Sequence, residues 1–146
     1  MNIQHILVVC TGNICRSPMV EYFLKQQLPQ LNIQSAGLAA LVGQPADSKA
    51  IISMDQYKID IRPHIAKQIN LDLIKWADII FVMTQNQKKH IEIMWPFAYG
   101  RVFRIGHWKN QDVGDPYQHD QIFFNEICCL IQMFSLDWQS HITLEY

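Results

Sequence analysis

VVCTGNICRSP, Val8 to Pro18, joins the end of an apolar run, a short loop with two cysteines, and a Ser-Pro pair. Residues 6–9, Ile-Leu-Val-Val, are continuously apolar, as expected of a strand buried on both faces. Ser17 is a good N-cap and Pro18 suits the first helical position. The spacing therefore predicts a helix from there to about Leu28, stopped by Pro29.

The alternation continues downstream. Residues 31–36 read as a second strand ending at Gly37, and Asp47 caps a helix through Ala50, Ile51 and Met54. Asn70 caps a shorter helix, and residues 78–83 form the clearest strand. Thr84 caps a helix over 85–94, and residues 101–105 read as a fourth strand. In the last helix, Phe123, Ile127, Leu130, Ile131 and Phe134 fall on one face. This order predicts an α/β fold, a single-domain four-stranded parallel sheet with helices on both faces. Ligands of such sheets bind outside the carboxyl ends of the strands. The loop from Cys10 to Arg16 lies at that edge, and Asp115 to Tyr117, after the last strand, can reach it.

A length of 146 residues suits one domain, spanning 1–146, with one core. Hydrophobic residues make up 49% and charged residues 17%, a globular balance. The formal net charge of −1 gives no sign of a nucleic-acid partner, so anion recognition must come from a local site. The first ten residues lack a basic, signal-like start, and no apolar run is long enough to insert in a membrane. The expectation is a soluble, cytoplasmic protein. Four cysteines are too few for a disulfide scaffold. Adjacent Cys128 and Cys129 read as core residues. Cys10 and Cys15 lack a second ligand pair and the six histidines are scattered, so no metal or other cofactor is expected.

The loop Cys10-Thr11-Gly12-Asn13-Ile14-Cys15-Arg16-Ser17 opens directly into a helix. A helix amino end presents unpaired N–H groups and partial positive charge, and a curled loop can aim more N–H groups inward. Gly12 and Asn13 tolerate the backbone angles of such a curl. Arg16 adds a two-pronged donor matched to phosphate oxygens. The pattern is not that of a nucleotide P-loop, which needs GxxxxGK[ST]. The field that binds phosphate also stabilises a thiolate, which makes Cys10 a nucleophile under a bound phosphorus atom. Expelling an alcohol or phenol then needs a proton donor. Asp115, held by Pro116, is the candidate, because the negative charge of phosphate and thiolate favours its neutral form. Tyr117 offers an aromatic wall for a flat ring.

CTGNICRSP, SAG at 35–37, HIAKQI at 64–69 and DPY at 115–117 together resemble the low-molecular-weight protein tyrosine phosphatases, in the family's order and over nearly the whole chain. SAGLAALVGQPAD and FRIGHWKNQDVGDPY look most like the bacterial branch associated with capsule and exopolysaccharide export. The resemblance implies hydrolysis of phosphotyrosine proteins, with a membrane tyrosine autokinase as the implied partner. It implies a phosphocysteine on Cys10, phosphoryl binding by Arg16, and acid and then base catalysis by Asp115. Thr11, Gly12, Asn13, Ile14, Cys15 and Ser17 would complete the phosphate-binding loop. Asn13, Ser17, Ser35 and His64 would hold that loop, and Cys15 would form a reversible disulfide with Cys10. Leu41 and Tyr117 would wall the substrate site.

Some positions depart from animal members of the family. Leu41 and Val42 stand where an aromatic wall is common, Gln118 where a second tyrosine is common, and Thr84 where a carboxylate is common. An arsenate reductase on the same fold is one rival, but it needs further redox cysteines and none lies between Arg16 and Ile127. A non-catalytic phosphotyrosine-binding module is another, but such a module usually loses the thiol, the arginine or the acid. An acid phosphatase for small phosphomonoesters is a weaker variant of the enzyme reading.

Overall fold

The computed structural model describes residues 2–143. Along the chain come β1 (His5–Cys10), α1 (Arg16–Gln27), β2 (Asn32–Gly37), α2 (Ser48–Asp55) and α3 (Leu71–Trp76). They are followed by β3 (Ile79–Val82), α4 (Gln85–Met94), β4 (Val102–Arg104) and α5 (Gln121–Thr143). The strands form one parallel sheet in the order β2-β1-β3-β4. The expected fold class, four parallel strands with helices on both faces, is what the chain adopts. Two single 3₁₀ turns, Pro96–Ala98 and His107–Lys109, were not legible from periodicity.

Alternation along β1 builds two cores. Ile6, Val8 and Cys10 face Met19 and Phe23 of α1, Met54 of α2, and Phe124, Ile131 and Phe134 of α5. Leu7 and Val9 face the other way, toward Ile74 of α3 and Ile91 of α4. Both faces are covered, so β1 has no polar side, which is why its sequence reads as an unbroken apolar run. From the central β1 the chain crosses to β2 on one side and later enters β3 on the other. The carboxyl ends of β1 and β3 therefore flank a topological switch, where a crevice opens.

The predicted helix starts at Asp47, Asn70 and Thr84 are present, each with a side-chain oxygen accepting a backbone N–H. Thr84 also forms a reciprocal capping box with Gln87. The predicted cap at Ser17 is not present. α1 begins two residues earlier, at Arg16 after Cys15, with no side-chain cap. The Ser17 hydroxyl is committed elsewhere, to Cys10 and Asn13.

Two expectations about α5 need correction. Cys128 is buried but Cys129 is exposed, because adjacent residues on a helix point about 100° apart. Phe123 and Leu130 are only partly buried, while Phe124 and Trp138 join Ile127, Ile131 and Phe134 inside. α5 packs on both α1 and α2, so its apolar surface is wider than one stripe and the spacing alone selected its edge.

Among the described residues no helix is long and apolar enough to cross a membrane. Gly37 ends β2 opposite Cys10. A Cβ there would lie 2.6 Å from the Thr11 carbonyl oxygen and 2.9 Å from the Ala40 Cβ. Only glycine allows that approach of two backbones. Gly37→Ala should lower stability in urea by about 1–3 kcal/mol, the range of an overpacked core, and reduce activity with it. An unchanged urea midpoint would show that the loop yields freely.

Candidate active site

Cys10 is the last residue of β1 and Arg16 the first of α1, so five residues must turn the chain between them. The turn is made at Asn13, whose φ is 59°, a left-handed angle that asparagine tolerates. Gly12 does not share it. A Cβ at Gly12 would meet Leu41 only at 3.9 Å, so the expectation that both residues supply special backbone angles holds for Asn13 alone.

Five successive loop carbonyls have partners on the outside of the curl. The N–H groups of Leu38, Ala39, Leu41 and Asp47 donate to the carbonyls of Cys10, Thr11, Gly12 and Ile14 at 2.8–3.0 Å. His64 Nε2 bonds the Asn13 carbonyl at 2.6 Å and, facing a carbonyl, must carry the proton. In a trans peptide the N–H points opposite to the C=O. Outward carbonyls at 10–14 therefore turn the N–H groups of 11–15 inward, as an anion-binding nest requires. The Asn13 N–H shows this orientation directly, pointing to Cys10 Sγ at 3.2 Å.

Behind the curl lies a buried chain of hydrogen bonds. The Lys67 N–H donates to Asn13 Oδ1 at 2.9 Å, which settles which end of the amide is nitrogen. Asn13 Nδ2 then donates to Ser17 Oγ at 2.7 Å and to Ser35 Oγ at 3.0 Å. Ser35 gives its own proton to Glu21 Oε1. Ser17 Oγ, already accepting from Asn13, also lies 2.9 Å from Cys10 Sγ, a hydrogen bond in which either atom can donate. The sulfur thus has the Asn13 N–H and the Ser17 hydroxyl beside it. Asn13, Ser17, Ser35 and His64 converge behind the cleft rather than in it.

Sequence reasoning missed Glu21. It is buried at one end of this chain, yet its Lys25 partner four residues on looks like an ordinary solvent-facing pair. Gln87 was also missed. It receives the Met83 N–H at 2.8 Å and reaches Thr11 Oγ1 at 3.2 Å, tying α4 to the loop. The visible signal was the T-x-x-Q capping box.

In front lies a cleft of about 170 Å³. Cys10, Thr11, Gly12, Ile14, Cys15 and Arg16 form its floor. Leu41, Asp115 and Tyr117 form its rim, with Ala39. Its size is below the roughly 300–1,000 Å³ of pockets that engulf a drug-sized ligand, so it suits the tip of a side chain. Val42, Gln118 and Thr84 do not line it. Arg16 is 4% exposed, and its Nη1 donates to the Val113 carbonyl at 2.8 Å. Its Nη2 lies 3.7 Å from Asp115 Oδ2, on a side chain that is 51% exposed. Asp115 Oδ1 accepts the Tyr117 N–H at 3.0 Å, the local turn expected of Asp-Pro. Burial, with Asp47 and Cys10 adding to it, pushes the Cys15 thiol far up, so it stays neutral at pH 7. Among the described residues, no group of three or more His, Cys, Asp or Glu side chains is placed to hold a metal ion.

A family model described as low molecular weight phosphotyrosine protein phosphatase matches residues 5–145. The chain belongs to that family. The low molecular weight protein-tyrosine-phosphatase Ptp of Acinetobacter johnsonii is 57% identical over 142 residues, covering 97% of this chain and 100% of that protein. The crystal structure of the tyrosine phosphatase AmsI of Erwinia amylovora superposes with a TM-score of 0.93 at 35% identity, covering 96% of this chain and 93% of that one. The YwlE arginine phosphatase of Geobacillus stearothermophilus superposes with a TM-score of 0.92 at 27% identity, covering 97% of this chain and 94% of that one. The family's fold thus accommodates more than one phosphorylated side chain.

Asn13→Ala removes two donors and one acceptor from the buried chain and places alanine at φ 59°. It should cost about 1–3 kcal/mol of stability and lower kcat/KM at least tenfold. Calorimetry and steady-state kinetics on the folded variant check both. Unimpaired turnover would mean that the curl holds without its amide.

Proposed function

We propose that the chain hydrolyses phosphotyrosine in protein substrates through a phosphocysteine on Cys10. The observation that carries this reading is the inward set of loop N–H groups around Cys10 Sγ, with Arg16 and Asp115 in the same cleft. The thiolate attacks phosphorus as the P–O bond to the phenol breaks. Asp115 gives its proton to the departing phenolate oxygen. Arg16 and the inward N–H groups hold the three equatorial phosphoryl oxygens, over which the transition-state charge is spread. Asp115, now ionised, takes a proton from water as that water attacks phosphorus. The S–P bond breaks, and phosphate and the thiolate are released.

The rim supports an aryl substrate. Leu41 and Tyr117 are 43% and 44% exposed at the mouth, and Ile14 lies below them. These are faces for a flat ring. A phosphoarginine guanidinium would instead ask for acidic partners, and Asp115 is the one carboxylate among the lining residues. The substrate is therefore a phosphotyrosine protein. A membrane tyrosine autokinase of polysaccharide export, met at its cytoplasmic side, is the partner that the resemblance of segments 35–47 and 103–117 supports.

Hydrolysis of p-nitrophenyl phosphate against pH, with EDTA present, should give a bell that Cys10→Ser abolishes while phosphate still binds. Turnover by that variant would defeat the covalent mechanism. Phosphotyrosine peptides should exceed phosphoarginine peptides in kcat/KM by at least about 10²-fold, and the reverse order would reassign the substrate.

Mild peroxide should oxidise the Cys10 thiolate to the sulfenic acid. The Cys15 thiol then displaces water to give a disulfide that a thiol reductant reopens. Peptide mapping that finds no Cys10–Cys15 bridge would rule this route out.

A further inference from the structure

Asp115 must be held over the cleft, yet its side chain is only lightly held. It is half exposed, its approach to Arg16 is 3.7 Å, and its one backbone bond is within its own turn. Its position is therefore inherited from the chain upstream. Val113 is one anchor. Its side chain is buried, its N–H donates to the Met83 carbonyl at 2.8 Å, and its carbonyl accepts from Arg16.

The second anchor is Arg104, the last residue of β4. Its Nη1 donates to Asp112 Oδ1 at 3.0 Å and its Nη2 donates to Asn110 Oδ1. One planar guanidinium thus spans both ends of the turn 110–112, where Asn110 takes a left-handed φ of 51°. Asp112 Oδ1 also receives the Gln85 N–H at 3.1 Å, at the positive amino end of α4. β4 and α4 both grip the loop just before the acid. The Arg104 side chain is only 17% exposed, while that of Asp112 is about half exposed. The pair's contribution to folding is small, as for most ion pairs near a surface. Its leverage is on geometry, where a misplacement of about 1 Å can change rate 10²-fold.

We propose that Arg104, by bridging Asn110 and Asp112, is a positioning residue that sets Asp115 in place to protonate the leaving group. This rests on the reading of Asp115 as the general acid. The expected signature depends on the leaving group. Arg104→Met should lower kcat/KM roughly tenfold for phenyl phosphate, whose leaving phenolate needs the proton. It should lower kcat/KM less than about twofold for a fluorinated umbelliferyl phosphate, whose leaving group departs unaided. Asp112→Ala, which removes the other half of the bridge, should reproduce the pattern, and Arg104→Lys, with one donor point instead of a fork, should fall between wild type and Arg104→Met.

The test is kcat/KM for aryl phosphates across a range of leaving-group acidity. The proteins are wild type, Asp115→Asn, Arg104→Met, Asp112→Ala and the double variant Arg104→Met/Asp115→Asn. Thermal melting of each confirms that the variants are folded. If Asp115→Asn steepens the leaving-group dependence and Arg104→Met adds nothing in that background, the positioning role stands. Equal losses for all leaving groups, or a further loss in the Asp115→Asn background, would show that Arg104 acts elsewhere. If Asp115→Asn itself leaves the dependence flat, the acid assignment fails, and the positioning role with it. Should Arg104→Met fail to fold, Asp112→Ala carries the same comparison.

Discussion

Asn13 carries the constraint on which the rest of the site depends. Its left-handed backbone turns the loop so that its N–H meets the Cys10 sulfur. Its amide, oriented by the Lys67 N–H, donates to the hydroxyls of both Ser17 and Ser35. Its carbonyl holds His64. Every one of these groups is buried or nearly so, where an unmade hydrogen bond costs about 1–3 kcal/mol. The curl is therefore held in one arrangement by the penalty on all the others. Its N–H groups are already placed before any phosphate arrives, so little reorganisation remains for the reaction.

The sheet and the loop divide the work. β1 lies between two parallel neighbours and is covered on both faces, so Cys10 ends the best-supported strand in the molecule. The backbone of 38–41, leaving β2, runs beside the loop and takes its carbonyls. Gly37 is the point where these two backbones come too close for any side chain. The cradle is thus a continuation of the sheet into its edge, and its shape follows from β-sheet register as much as from the loop's own residues.

Much of this was legible beforehand. The unbroken apolar runs of β1 and β3 can only be central strands, and the three polar caps at Asp47, Asn70 and Thr84 mark real helix starts. Cys10, Arg16 and Asp115 could be paired from the strand-end rule, because the parallel topology brings both loops to one edge. What was not legible needed three dimensions. Ser17 has the chemistry of a helix cap, and only a neighbouring thiol and amide divert it. Glu21 pairs with Lys25 as a surface residue would, and its burial depends on α1 lying against β2 and the 63–67 segment. The full width of the apolar surface of α5, which takes in Phe124 and Trp138 as well, could not be seen because the neighbouring strip is apolar too.

The two halves of the chemistry rest on parts of unequal sturdiness. The nucleophile belongs to the most tightly supported strand, while the acid rides on a half-exposed loop held at a few points. Local opening in proteins draws on the weakly held segments first. Warming should therefore take this molecule through a stage in which the anion cradle is intact and the proton donor has drifted away. Such a state grips phosphate monoesters without turning them over. The temperature at which activity fails is then set by the 110–117 loop, and the temperature at which the chain unfolds is set by the sheet.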